Sequence, residues 1–196
     1  MKVLGCIIAG GASSRMGQEK ALVQLGGKPL ISHVADRLSE QVDSLCVNAN
    51  GDAARFSFLG VSVLADRLAT GRTPLAGIHA ALYYAKNVGF DAVLSAPSDT
   101  PFLPLDLRGR LEAKSPAIAT SRGQEHYITG LWPVSLLPRL EAAMVHQGLI
   151  RAWEWVALAE ATPVHWDIGA YDPFFNINTP QDLAQAGTYL VLSEKR

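Results

Sequence analysis

Short apolar runs alternate with stretches of helical periodicity along the first half of the chain. The runs are rich in valine, leucine and isoleucine and end at glycine, asparagine or aspartate, which is typical of buried strands. The predicted strands of this half cover residues 2–9, 44–48, 61–65 and 91–96. The predicted helices between them cover residues 30–41, 74–86 and 104–113. Because strands that are apolar throughout are covered on both faces, the pattern predicts an α/β fold with a mostly parallel sheet between helices.

The second half of the chain is less regular. Its predicted strands cover residues 116–121, 128–132 and 163–166, and the first two flank a turn at 123–126. Its predicted helices cover residues 134–146, 150–159 and 180–192. Thr179 is expected to cap the last helix, after a loop at 172–180. Since no repeat, linker or low-complexity segment interrupts the sequence, residues 1–196 are predicted to form one domain.

Composition narrows the class of protein. The chain has 196 residues, 48% of them hydrophobic, which is enough to bury one full core. Its formal net charge of −1 argues against nucleic acid or a membrane surface as a partner, so any phosphate must be bound by locally placed cations. No apolar run approaches the roughly 20 residues of a membrane span or resembles a signal peptide. Cys6 and Cys46 lie inside apolar runs and are expected to be buried, reduced thiols, as in a cytoplasmic protein.

A glycine-rich stretch at residues 9–20 follows the first predicted strand. It contains Gly10, Gly11, Arg15 and Lys20. Glycine lets backbone N–H groups approach an oxyanion closely, and arginine and lysine neutralise its charge. The stretch therefore predicts a nucleoside triphosphate site.

Two common phosphate-binding fingerprints do not fit this stretch. The G-x-G-x-x-G pattern fails because Gly11 follows Gly10 directly and position 15 is arginine. The P-loop pattern fails because the residue directly before Lys20 is Glu19 and not glycine. The spacing therefore disfavours a nicotinamide dehydrogenase and a P-loop NTPase.

Polar residues close the next three predicted strands. Asn48, Asp66 and Asp99 each stand at or just after the end of a strand, where ligands bind in open α/β sheets. Asp99 lies between Pro97 and Pro101, which restrict its backbone. A single carboxylate at a phosphate site usually holds Mg²⁺, although an aspartate between prolines is also a common turn residue.

These motifs together resemble the molybdenum cofactor guanylyltransferase (MobA) family over nearly the whole chain. The segments that carry the resemblance are 4–20, 25–30, 48–50, 64–66, 74–78, 97–104 and 176–180. The resemblance implies a three-layer, Rossmann-like nucleotidyltransferase fold, with a nucleotide-binding amino-terminal half and a pterin-binding carboxyl-terminal half. It implies an enzyme that uses Mg²⁺ to transfer GMP from GTP to the phosphate of molybdopterin, with release of pyrophosphate. It also allows molybdenum-insertion proteins and apo-molybdoenzymes as partners.

Carried over residue by residue, the resemblance assigns roles to the matching positions. Arg15, Lys20 and Asp99 are expected to be catalytic, with Asp99 as the metal ligand. The residues expected to bind the nucleotide, the metal or the pterin phosphate are Ile8, Ala9, Gly10, Gly11, Lys20, Asn48, Asp66, Gly77, Asp99, Asn176 and Asn178. The attacking phosphate is already an anion, so no general base is required, and no His–Asp or Cys–His pair is evident.

Several alternatives stay open on the residues alone. A molybdenum cofactor cytidylyltransferase or a sugar-phosphate nucleotidylyltransferase would use the same loop and metal. A non-catalytic GTP-binding adaptor that delivers the cofactor would need neither Lys20 nor Asp99 for chemistry. Arg151, near Trp153, is a candidate for the pterin phosphate, and His126 is either a pterin contact or a surface residue. Arg67 and Arg72 are either solvated charges or a lid over the triphosphate.

Overall fold

A seven-stranded sheet forms the centre of the computed structural model, which describes residues 1–10, 19–68 and 73–193. The strands are β1 (Val3–Ile8), β2 (Gln24–Leu25), β3 (Lys28–Pro29), β4 (Ser44–Asn48), β5 (Ser62–Leu64), β6 (Ala92–Pro97), β7 (Ala117–Ser121), β8 (Gln124–Pro133) and β9 (Thr162–His165). Strands β2 and β3 pair in a separate antiparallel hairpin, and the large sheet has the order β5-β4-β1-β6-β8-β7-β9. Among its described strands, β8 alone runs against its neighbours, so the prediction of a mostly parallel sheet is confirmed.

Six α-helices in the described part of the chain connect or flank these strands. They are α1 (Leu30–Ser39), α2 (Pro74–Val88), α3 (Leu107–Glu112), α4 (Leu137–His146), α5 (Ala152–Leu158) and α6 (Pro180–Ser193). Shorter 3₁₀ turns cover Lys20–Leu22, Ala53–Leu59 and Val134–Leu136. Each predicted helix is present, with ends shifted by a few residues. None of the helices in the described ranges combines the length and the apolar character that crossing a membrane requires.

The two faces of the sheet carry separate hydrophobic cores. Alternate residues of β1 serve both: Leu4 and Cys6 pack with α2 and α4, whereas Val3 and Ile7 pack with α1 and α3. Every residue of β1 is buried, because successive side chains of a strand point to opposite faces and both faces are covered. This arrangement explains the uninterrupted apolar run in the sequence and confirms the three-layer α/β fold. Cys6 and Cys46 are free thiols, both buried, at paired positions of β1 and β4.

The β7–β8 hairpin differs from its prediction. The turn lies at Arg122 and Gly123, which both have positive φ (49° and 72°), and β8 already begins at Gln124. Two consecutive left-handed residues form a tight hairpin turn whose twist matches that of the strands. The predicted turn at 123–126 and the predicted strand start at 128 were therefore wrong. The exposed polar residues at the start of β8 concealed the strand from the hydrophobic pattern.

Parallel pairing brings the carboxyl ends of β1, β4, β5 and β6 to one edge of the sheet. Backbone hydrogen bonds extend the ladder there: the N–H of Ala9 donates to Asn48 O (2.9 Å), and the N–H of Ser98 donates to Ile8 O (3.1 Å). The candidate site lies at this edge.

Candidate active site

Lys20 and Asp99 form the centre of the site. The Lys20 ammonium donates to Asp99 Oδ2 and to Asn178 Oδ1, the latter at 2.6 Å. The Lys20 and Asp99 side chains are 20% and 16% exposed, so the ion pair is largely removed from solvent. Three predicted site residues, from the first loop, the end of β6 and the loop before α6, therefore meet at one point.

The start of α6 holds Asn178 in place. Asp182 accepts hydrogen bonds from the backbone N–H groups of Asn178 and Thr179, both at 2.8 Å. The N–H of Asp182 in turn donates to the Thr179 hydroxyl (3.1 Å), which is a reciprocal helix cap. Desolvation raises the pKa of Asp182, but these hydrogen bonds and the charge of Lys20 outweigh it, so its pKa is lowered. Thr179 caps α6 as predicted, whereas Asp182 was not predicted to have a role.

A cavity of about 220 Å³ opens beside the Lys20–Asp99 pair. The predicted site residues on its wall are Ile8, Ala9, Gly10, Lys20 and Asp99. Glu19, Ser98 and Ile128 also line it. It is bounded by the end of β1 on one side and the end of β6 on the other, which is where an open α/β sheet binds its ligand.

Asn48 and Asp66 form a second polar cluster at the same edge. Asn48 donates to Asp66 Oδ1 at 2.9 Å, and Asn50 donates to Asp66 Oδ2 at 2.6 Å. Asn50 Oδ1 also accepts from the backbone N–H of Asp66 (2.9 Å). Both carboxylate oxygens of Asp66 are thus engaged by amides. Asn50 belongs to the 48–50 segment that carries the family resemblance, but its two hydrogen bonds to Asp66 were not predicted.

Gly77 lies against this polar cluster. A Cβ atom at Gly77 would lie 2.2 Å from Asn48 Oδ1, closer than atoms can approach. The same atom at Gly10 would lie 3.5 Å from that oxygen, an ordinary contact. Gly77 therefore leaves room for the Asn48 side chain, and its predicted contact with the nucleotide stays a prediction.

A second cavity, of about 250 Å³, adjoins the first, and Pro97 and Ile128 line both. Asn176 lies on its wall with a buried Oδ1 that has no hydrogen-bond partner among the described residues. Asn178, by contrast, contacts Lys20. The two asparagines of the motif therefore serve different cavities.

His126 also lines the second cavity. Its Nε2 lies 2.8 Å from the Ser121 hydroxyl, which lies 2.9 Å from Asp172 Oδ1, and its ring packs on Phe174 with centroids 4.7 Å apart. Because a carboxylate only accepts, Ser121 donates to Asp172 and receives its hydrogen bond from His126 Nε2–H. Burial lowers the pKa of His126, and the Asp172 charge offsets this only in part. His126 is accordingly held on the wall of the second cavity by Ser121 and Phe174.

The remaining candidates lie elsewhere. Arg151 is 65% exposed and pairs with Glu154 at 3.9 Å, and Trp153 is half exposed. The Arg67 guanidinium lies 3.5 Å from the ring centroid of Tyr83 on α2. Predictions for Gly11, Arg15 and Arg72 fall on positions outside the described residues.

The sheet order, the lysine on a strand-end aspartate and the adjoining cavities fit the predicted class, an α/β nucleotidyltransferase. Residues 5–162 match the profile of the MobA-like NTP transferase domain. The molybdenum cofactor guanylyltransferase of Rhodobacter capsulatus is 45% identical over 95% of both chains. The enzyme of that name from Rhizobium leguminosarum bv. trifolii is 42% identical over 96% of this chain and 93% of its own. The chain therefore belongs to the molybdenum cofactor guanylyltransferase (MobA) family.

A solved structure supports the same family. The crystal structure of molybdopterin-guanine dinucleotide biosynthesis protein A from Archaeoglobus fulgidus has a TM-score of 0.71 with this chain at 27% identity. The match covers 97% of this chain and 99% of that one. The predicted family and fold class are thus confirmed, whereas the roles of individual site residues stay predictions.

Proposed function

We propose that the protein transfers GMP from GTP to the phosphate of molybdopterin, forming molybdopterin guanine dinucleotide and releasing pyrophosphate. The observation that carries the proposal is the Lys20–Asp99 pair on the wall of a cavity at the carboxyl edge of the sheet. Two relatives, 45% and 42% identical to this chain, bear the name of this activity. Two adjoining cavities offer separate places for the donor and the acceptor.

GTP binds in the first cavity in this proposal. The end of β1 offers backbone groups and little side-chain bulk at Ala9 and Gly10. Lys20 neutralises charge that grows on the leaving pyrophosphate, and Arg15 is proposed to assist it. The Asn48–Asp66 cluster lies at the strand ends on the other side of β1, where the nucleoside end is proposed to bind.

The residues at Asp99 fit a bound Mg²⁺ ion. Asp99 Oδ1 is buried and has no hydrogen-bond partner among the described residues, so an acceptor oxygen is available to a cation. No group of three or more His, Cys, Asp or Glu side chains within the described ranges could hold a metal by itself. This combination suits Mg²⁺, which takes one or two carboxylates and completes its shell with water and substrate phosphates. When bound, the ion would neutralise phosphate charge and orient the phosphate oxygens.

Molybdopterin is proposed to bind in the second cavity, with its phosphate toward the first. An acceptor phosphate oxygen attacks the α-phosphorus of GTP, and the bond from that phosphorus to the oxygen bridging to the β-phosphate breaks. The attacking oxygen is already anionic, so the protein's part is positioning and charge neutralisation. His126 Nε2 is engaged by the Ser121 hydroxyl, and the attacking oxygen carries no proton to remove, so the proposal gives His126 a binding role.

Ligand-dependent thermal unfolding tests the proposed nucleotide. A ligand that binds only the folded protein raises the midpoint by mass action. With Mg²⁺ present, GTP is expected to raise the midpoint more than CTP, UTP or ATP. An equal or CTP-selective shift would contradict the guanine assignment, and GTP binding without pyrophosphate release in the presence of molybdopterin would indicate an adaptor.

A further inference from the structure

Arg55 connects the segment that carries Lys20 to the Asn50–Asp66 cluster. It lies in the 3₁₀ turn after β4, and its side chain is 23% exposed. Its Nε donates to the Glu19 carboxylate at 2.9 Å, and its Nη2 donates to Asn50 O at 2.7 Å. Its Nη1 donates to Asp52 O, and the guanidinium lies 4.7 Å from the ring centroid of Phe56. Neither the hydrophobic pattern nor any motif marks this arginine, because it stands in an irregular polar connection.

Two of these partners belong to the site. Glu19 directly precedes Lys20 and lines the first cavity. Asn50 clamps Asp66 through two hydrogen bonds, at 2.6 and 2.9 Å, and Asp66 in turn accepts from Asn48. The guanidinium of Arg55 thus contacts Glu19, the neighbour of Lys20 in the chain, on one side. On the other side it contacts Asn50, which holds Asp66.

The chemistry of arginine suits this connection. Its planar fork donates to several acceptors in fixed directions, whereas lysine offers a compact charge on a flexible stem. The Phe56 ring beneath the guanidinium is fully buried and limits the tilt of its plane. A single, partly exposed ion pair contributes little to stability, so the consequence of the contacts is mainly geometric.

We propose that Arg55 is a positioning residue, which holds Glu19–Lys20 and Asn50–Asp66 at the spacing that one nucleoside triphosphate requires. The inference rests on the proposed function in that GTP is the bound nucleotide. Arg55 itself lines neither cavity; it contacts the wall residue Glu19 on one side and Asn50 on the other, and it acts through them. Loss of Arg55 should therefore weaken the binding of both the nucleoside and the triphosphate parts of the ligand.

The chain offers a matched control for Arg55→Met. Arg108 is also 23% exposed and likewise donates to two backbone carbonyls, Gln41 O (2.9 Å) and Met1 O (2.6 Å), and pairs with Asp43 (3.2 Å). Its partners Met1, Gln41 and Asp43 precede β1 and β4, at the edge of the sheet opposite the candidate site. Arg108→Met therefore measures what the loss of a multiply bonded arginine does to the fold alone.

Binding of fragments separates the two ends. Inhibition constants for guanosine and for tripolyphosphate, with the dissociation constant of GTP, are to be measured with Mg²⁺. Arg55→Met is expected to weaken the binding of each fragment about threefold to tenfold. The binding of GTP should weaken by about the product of these two factors, because linked fragments benefit from their fixed spacing. Glu19→Gln should weaken tripolyphosphate only, and Arg108→Met should change none of the three. Fragment constants for Arg55→Met that match those of Arg108→Met would overturn the proposal.

A ligand-free measurement keeps the inference separate from the identity of the nucleotide. The N–H of Leu22 donates to Glu19 O, and the N–H of Asp66 donates to Asn50 Oδ1, both at 2.9 Å. Amide hydrogen exchange in the substrate-free protein should accelerate at both positions in Arg55→Met and at neither in Arg108→Met. Unchanged exchange at both amides would refute the role of Arg55. Wild-type protein that fails to bind GTP would refute the proposed function instead.

Discussion

The proposed nucleotide side and the proposed acceptor side of the site are built in different ways. On the nucleotide side, parallel strands deliver Asn48 and Asp99 to one edge, each at or just after the end of its strand. On the acceptor side, Ser121, His126 and Asp172 come from a hairpin and a long loop, and Ser121 and Asp172 are 51 positions apart. Residue roles can therefore be inferred from strand ends on the first side, whereas the second side is assembled by tertiary contacts.

The comparison predicts that damage on the nucleotide side affects chemistry and that damage on the acceptor side affects affinity for one substrate. The largest effect is expected for Asp99→Ala. Loss of the proposed metal ligand should reduce turnover by about 10³-fold or more, since metal stabilisation of phosphate charge is worth several kcal/mol. Pyrophosphate release is the measurement, with circular dichroism to show that the fold is retained. Asp36→Ala removes an exposed carboxylate on α1 that pairs with Lys28 and serves as the control. An active Asp99→Ala variant would exclude Asp99 as the metal ligand.

Lys20→Met should have the next largest effect. Removing one preorganised charge from the leaving group typically costs about 10²–10³ in kcat. Because Lys20 also neutralises Asp99, the variant should bind Mn²⁺ in the absence of nucleotide at least as well as the wild type. Paramagnetic resonance of free Mn²⁺ measures this directly. Reduced Mn²⁺ binding combined with normal turnover would contradict the assignment of Lys20 to the leaving group and of Asp99 to the metal.

Asn176→Ala tests the acceptor side. The buried Oδ1 has no partner among the described residues, so its removal should cost substrate contacts without leaving a protein donor unpaired. We expect KM for molybdopterin to rise about tenfold, equivalent to the roughly 1.4 kcal/mol of one strong hydrogen bond, with the dissociation constant of GTP unchanged. A variant that loses GTP affinity instead would show that the two cavities are not separate in function.

The smallest expected effect concerns pH and does not discriminate between the two sides. Burial lowers the pKa of His79, which lies 3.6 Å from Glu141, and burial also lowers that of His126. Folded-state pKa values below the ordinary value of about 6.5 mean that the unfolded chain binds more protons, so stability rises with pH. The free energy of unfolding should therefore fall as pH drops below about 6.5. Denaturant unfolding between pH 7.5 and about 5 measures it, and His79→Gln should flatten the curve. A curve that is flat in the wild type would contradict the direction of both shifts.

Most of the fold could be predicted from the sequence because it depends on local periodicity and burial. Ser44–Asn48 was predicted to the residue, and β1 within one residue at each end. The start of β8 was missed because its polar residues face solvent or a cavity, so no alternation of apolar residues marks them. Asp182 was missed because it acts through hydrogen bonds from the backbone of the preceding loop, which no apolar pattern marks.

The sequence alone indicated the class of protein through a family resemblance, which short segments carry, among them the glycine-rich stretch after a buried strand and the aspartate between two prolines. It also determined the edge at which the site lies, because parallel strands place their carboxyl ends together. Tertiary structure decided which of these residues meet. Lys20 reaches Asn178, 158 positions away, only because α6 begins beside the end of β6. Arg55 can join Glu19 to Asn50 only because the turn after β4 folds back on the first loop. Such contacts depend on the packing of distant elements, which leaves no periodic mark on the chain.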